Sequence, residues 1–153
     1  MAKSSEQSER MANPLCEILL TDAALASRLD TPFGSGASVE FVGLVRPQED
    51  NRELAGIDYE AHRPMATHHL EKIARAAILK FDLTGAIIHH RLGFVPVGEA
   101  SVLVRTTSHH RAESYRANEW IMDELKKNVP IWKRVRFKAE EPSRSASEAA
   151  SLK

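Results

Sequence analysis

The sequence predicts an α+β domain with about three helices. Two observations carry this. Short β-branched or alternating segments at 15–20, 37–45, 54–62, 85–92, 100–106 and 131–137 are interspersed with helical patterns at 21–29, 64–81 and 109–128. The resulting order is strand, helix, strands, helix, strands, helix, strand. That is not the strict alternation of a doubly wound sheet, and no internal repeat is present.

Each element has a local reason. Residues 15–20 form an apolar first strand, and Thr21-Asp22 can cap a short helix to about Leu29, stopped by Asp30-Thr31-Pro32. Gly34-Ser35-Gly36 is a turn, after which 37–45 alternates with Val39, Phe41 and Val45 on one face. The stretch 47–52 is charged and loop-like, and 54–62 is a strand whose polar face carries Asp58 and Glu60. Pro64 suits the first turn of a helix reaching about Phe81, with Met65, Leu70, Ile73, Ala76, Ala77 and Leu79 as its apolar stripe. Strands 85–92 and 100–106 are joined across Pro96-Val97-Gly98-Glu99. Ser108 reads as the N-cap of a helix from about His109 to Asn128 that buries Ala112, Tyr115, Ile121, Met122 and Leu125. Pro130 stops it, and 131–137 is the last strand. The domain is therefore 14–137, with a flexible polar start at 1–13 and a mobile tail rich in Ser, Ala, Glu and Arg at 138–153.

Bulk properties narrow the function. A chain of 153 residues with 42% hydrophobic and 27% charged residues can build one real core. Its formal net charge of zero gives no global basic field, which disfavours a general nucleic-acid binder; any anion site is a local patch. Cys16 is the only cysteine, so no intrachain disulfide and no cysteine-based metal site can form, in keeping with a reducing, cytoplasmic compartment. No apolar run is long enough to span a bilayer, and 1–13 lacks the apolar core of a secretory signal. The pairs His68-His69, His89-His90 and His109-His110 point to different faces, so no metal centre and no cofactor is expected. The first two pairs read as surface or half-buried histidines. Gly34-Ser35-Gly36 and Gly43 meet no nucleotide-binding fingerprint.

The candidate chemistry lies in local cations. Lys126 and Lys127 sit in the last turn of a helix, where the backbone dipole favours positive charge. Lys133 follows Pro130-Ile131-Trp132, a break that can bring it back toward Lys126. Two converging ammonium groups make a poor core and a plausible anion site. His109, His110 and Arg111 fall at the expected helix start, the wrong charge for that end unless they serve a site, and free backbone N–H groups there favour phosphate. Arg46 ends an apolar strand just before Pro47. Ser108 beside His109 has no third group to orient a base, so nucleophilic catalysis is not indicated.

Taken in order, these residues resemble a known family. Gly43-Leu44-Val45-Arg46, Tyr59-Glu60-Ala61-His62 with Met65, His90-Arg91-Leu92-Gly93, Gly98-Glu99, 108–111, and Asp123-Glu124-Leu125-Lys126 through Pro130-Ile131-Trp132-Lys133 match the large, catalytic subunit of molybdopterin synthase over roughly residues 36 to 134. The resemblance implies an α/β-hammerhead-type fold with mixed and antiparallel strands, and a homodimer whose chains each bind a small ubiquitin-like sulfur-carrier subunit. It implies transfer of sulfur from the carrier's C-terminal thiocarboxylate to cyclic pyranopterin monophosphate, forming the molybdopterin dithiolene. Lys126 matches the key catalytic lysine and Lys133 the second. Arg46, His110 and Arg111 match substrate-binding residues, the last two reaching across the dimer interface, and Val45 and Arg134 are expected to line the site. Three features depart from the family pattern: Val135 stands where glutamate is usual, Pro47-Gln48-Glu49-Asp50 where asparagine and glycine are usual, and the segment after Phe137 is short. The alternative is a non-catalytic homologue that binds a ubiquitin-like carrier without sulfur transfer.

Overall fold

The computed structural model describes residues 13–27 and 30–139. Within them the order is β1 (Leu15–Thr21), β2 (Ala37–Leu44), β3 (Gln48–Glu49), β4 (Arg52–Ala61), α1 (Arg63–Phe81), β5 (Leu83–Arg91), β6 (Gly93–Pro96), β7 (Ala100–Ser108), α2 (Arg111–Asn128) and β8 (Ile131–Phe137). The α+β class holds, with two helices among the described residues instead of about three.

The first sheet has the order β1-β5-β7-β2, with β1 parallel to β5 and the other pairs antiparallel. Both helices pack on one of its faces and against each other. Alternation along β5 and β7 turns Ala86, Ile88, Val102 and Val104 into the core, where they meet Leu70, Ile73 and Ala77 of α1 and Ala117, Ile121 and Leu125 of α2. Helix α1 buries Ala66, Leu70, Ile73, Ala74, Ala77 and Ile78, spaced three and four apart. The expected stripe was partly rotated: Met65, Ala76 and Leu79 face outward, Leu79 at 85% exposure, while Ile78 takes the inward place. The helix ends at Asp82, whose left-handed backbone (φ 53°) lets its N–H close on the Ile78 carbonyl.

The second sheet is built around β4, which pairs with β3, β6 and β8, all antiparallel. The charged stretch expected to be a loop contains a tight hairpin. Asp50 and Asn51 both have positive φ (52° and 60°), a turn these two residue types tolerate and which matches strand twist. Strand β6 was not expected; Gly93, at φ 81°, breaks the chain out of β5 so that 93–96 pairs antiparallel with β4 in the second sheet. Val45, Leu54, Ile57 and Val95 form a small second core here.

Two further expectations are corrected. Residues 22–27 form no helix: the Thr21 hydroxyl accepts the Ala23 N–H, but the turn does not propagate. The segment is instead held by tertiary contacts, Asp22 to Arg63, Ser27 to Glu40 and the Asp30 carbonyl to Arg105, which outweigh a short, uncertain helix. Helix α2 begins at Arg111, capped by an extended His110 with no side-chain cap bond, so Ser108 is not its N-cap. Starting two residues later, the helix exposes Ala112 and Tyr115 and buries Ser114, Ala117 and Asn118. The expected flexible start and tail fall almost wholly outside the described residues. Within them, Lys138 is joined to Glu53 by a backbone hydrogen bond of 2.9 Å and an ion pair of 3.5 Å.

Candidate active site

A cavity of about 800 Å³ opens where the two sheets meet the C-terminal end of α2. Arg46, Lys126 and Lys133 all line it, each delivered by a different element. Lys126 lies in the last turn of α2, where the helix dipole favours a cation. The helix stops at Val129, an extended C-cap, and the Ile131 N–H bonds back to the Val129 carbonyl at 2.8 Å. This tight reversal at Pro130 sends β8 along β4, where Lys133 pairs directly with Tyr59 and so shares its face. Arg46 departs from a fixed point: Val45 is buried, its N–H bonded to the Glu99 carbonyl and its carbonyl to the Gly98 N–H. Val45 itself contributes to the cavity wall.

Strand alternation separates Arg134 from this group. It pairs with Asp58 on the other face of β8, beside the Arg136–Asp58 ion pair, and does not line the cavity. His110 and Arg111 stand at the opposite end of α2. Fifteen residues of helix at 1.5 Å each put Arg111 about 22 Å from Lys126 along the axis. Their position is well determined. Ser108, the last residue of β7, donates to the His110 carbonyl and shares a hydrogen bond with Ser114, and Thr106 donates to the Ser114 carbonyl at 2.7 Å. Asn118 ties the same helix to the sheet through the Val39 and Val104 carbonyls at 3.1 and 3.0 Å.

Five further polar residues line the cavity that sequence reasoning did not place in the site: Gln48, Glu49, Tyr59, His90 and Ser101. Both His89 and His90 are buried, at 6% and 5% exposure, against the expectation of surface or half-buried side chains. His89 turns away from the helices and pairs with Glu17 at 2.7 Å. His90 follows Ala86 and Ile88 on the helix side, so the apolar residues two and four positions earlier were the available signal. Its Nδ1 bonds the Arg91 carbonyl at 2.8 Å, and its ring meets Tyr59 edge to face at 5.0 Å. Burial lowers the His90 pKa below the ordinary histidine value, a shift only partly opposed by that hydrogen bond. The site thus combines three cations, one carboxylate and a neutral imidazole around a partly open cavity.

A family model described as MoaE protein matches residues 18–128. Among curated relatives, the molybdopterin synthase catalytic subunit of Emericella nidulans is 43% identical over 103 residues, covering 67% of this chain and 53% of the relative. The molybdopterin synthase catalytic subunit of Pyrococcus abyssi is 41% identical over 109 residues, covering 71% of this chain and 74% of the relative. The crystal structure of molybdopterin synthase from Staphylococcus aureus superposes with a TM-score of 0.70 at 30% identity, covering 80% of this chain and 91% of that one. The chain matches about half the length of the fungal relative.

Proposed function

This chain belongs to the MoaE protein family, and on that premise we propose that it is the catalytic subunit of a molybdopterin synthase. In this reading a small ubiquitin-like carrier presents its C-terminal thiocarboxylate to the cavity. Two sulfur transfers to cyclic pyranopterin monophosphate build the dithiolene of molybdopterin. The observation that carries it is the convergence of Arg46, Lys126 and Lys133 on one cavity from three separate elements. Cations gathered at a partly enclosed site stabilise both a bound phosphate and the negative charge that develops as sulfur is transferred, and electrostatic stabilisation of this kind is commonly the largest catalytic contribution. Lys126 acts at the reacting centre, while Lys133 and Arg46 hold the anion. Val45 supports Arg46 from the buried wall.

His110 and Arg111 enter this reading through a homodimer, in which a second copy brings the start of its α2 toward the cavity of the first; Arg134, on the other face of β8, has no part in it. The single cysteine supports a cytoplasmic location. Among the described residues no helix is long and apolar enough to cross a membrane.

The test is reconstitution with cyclic pyranopterin monophosphate and a thiocarboxylated small subunit, assayed for dithiolene product with and without Lys126→Ala. Product from the native chain, lost by a factor of about 10² or more in a folded Lys126→Ala variant, is the expected result. Equal activity in that variant removes Lys126 from the mechanism. Carrier binding without any product identifies a non-catalytic carrier-binding homologue instead.

A further inference from the structure

The cations of the cavity account for an anionic ligand and leave His90 without a task. Its Nδ1 faces a carbonyl, which can only accept, so Nδ1 carries the ring proton and the neutral ring presents Nε2 as a bare acceptor. No hydrogen bond from another described residue meets Nε2. The ring is also held in orientation: the Arg91 carbonyl anchors one edge at 2.8 Å and Tyr59 packs against it at an interplanar angle of 73°. Tyr59 is in turn the cross-strand partner of Lys133.

We propose that His90 is a specificity-determining residue of this site, whose Nε2 accepts a hydrogen bond from a neutral N–H or O–H group on the substrate's ring system while Arg46, Lys126 and Lys133 hold its anionic end. The proposal rests on the sulfur-transfer reading above. A cavity with only cations would take any small phosphate. An oriented neutral acceptor adds a requirement for a donor at a fixed place, and a buried polar group left unpaired by the wrong ligand discriminates strongly. The charged and titratable groups lining the cavity around His90 are Arg46 after β2, Glu49 on β3, Tyr59 on β4, Lys126 on α2 and Lys133 on β8. Burial disfavours an imidazolium, opposed only in part by the Arg91 carbonyl, and keeps Nε2 available as an acceptor at neutral pH.

The experiment compares His90→Leu and His90→Gln in the reconstituted synthase and follows the imidazole nitrogens of the native chain by ¹⁵N NMR as cyclic pyranopterin monophosphate is added. His90→Leu is expected to raise the KM for the precursor about tenfold, the loss of one hydrogen bond to a buried partner. His90→Gln, which keeps an acceptor near the position of Nε2, is expected to stay within about threefold of the native KM. Both variants should lose the acid limb of kcat/KM that arises when the native imidazole protonates. In the native chain the Nε2 resonance should shift toward its hydrogen-bonded position on saturation. An unchanged KM in His90→Leu, or an Nε2 resonance that ignores a bound precursor, overturns the role of His90 and leaves the synthase reading intact. A native chain that neither binds nor turns over the precursor overturns the synthase reading, and the role of His90 falls with it. The NMR measurement needs no variant, so a misfolded substitution does not protect the proposal.

Discussion

Trp132, Lys133 and Arg134 are consecutive, yet only the lysine reaches the cavity, because a strand sends neighbours to opposite faces. The sequence made the charges of this motif visible but not the phase of the strand, so Arg134 was grouped with Lys133. His90 was overlooked for a related reason: a histidine pair looks solvated, whereas both faces of this central strand are covered and Ala86 and Ile88 mark the one that faces the helices. Burial has a consequence for stability. The folded pKa of His90 lies below that of the unfolded chain, about 6.5. Below that pH the unfolded chain binds a proton that the folded chain refuses, so stability contributed by His90 is complete above about pH 6.5 and falls as pH drops toward the folded value. Thermal melts between pH 7.5 and 5 should show a steeper loss for the native chain than for His90→Leu; parallel curves would contradict this. Asn118 offers a second test at this scale. Its buried amide donates to carbonyls on β2 and β7, so Asn118→Ala should cost about 1–3 kcal/mol in urea unfolding, and a change near zero would mean those carbonyls are satisfied without it.

The elements were legible where a period persisted over many residues and illegible where one residue set a turn. Helix α1 and strands β1, β2, β4 and β8 fall close to their expected bounds because long amphipathic or apolar patterns specify them. The start of α2 was misplaced by two residues because Ser108 has the chemistry of an N-cap and spends it elsewhere. Its hydroxyl is buried against Ser114 and the His110 carbonyl, and Glu113, in the true first turn, supplies the acidic residue that the expected start lacked. The β3–β4 hairpin was hidden because Asp50-Asn51 reads as generic polar loop, although both residues tolerate the left-handed region. This predicts an asymmetry between substitutions at Asn51. Asn51→Val, which forces a β-branched residue into φ near 60°, should destabilise the domain by about 1–2 kcal/mol. Asn51→Gly should be neutral or slightly stabilising. Equal melting temperatures for the two variants would show that the turn relaxes to another geometry.

Across the whole molecule, the candidate residues occupy two places set by the length of one helix. Lys126, with Arg46 and Lys133, lies at the C-terminal end of α2; His110 and Arg111 lie at its start, about 22 Å away at 1.5 Å per residue. A rigid helix packed on a sheet cannot bring its own ends together, so one chain cannot place both groups on one substrate. The helix expected over 109–128 already places the two clusters at opposite ends, and the observed run of α2 from Arg111 to Asn128 bears that separation out. If both clusters serve the proposed sulfur transfer, each site takes Lys126 from one copy and Arg111 from the other in a two-fold dimer. Mixing then becomes diagnostic. Arg111→Ala and Lys126→Ala homodimers should each be nearly inactive. In a mixed dimer, one site joins the intact Lys126 of the first chain to the intact Arg111 of the second, while the other site carries both substitutions. Random exchange makes half the dimers mixed, so activity should recover to roughly a quarter of native, a fraction that follows from two-fold pairing alone. An Arg111→Ala homodimer that keeps native activity would place Arg111 outside the site, and no recovery after verified exchange between two inactive variants would mean that Lys126 and Arg111 act within one chain.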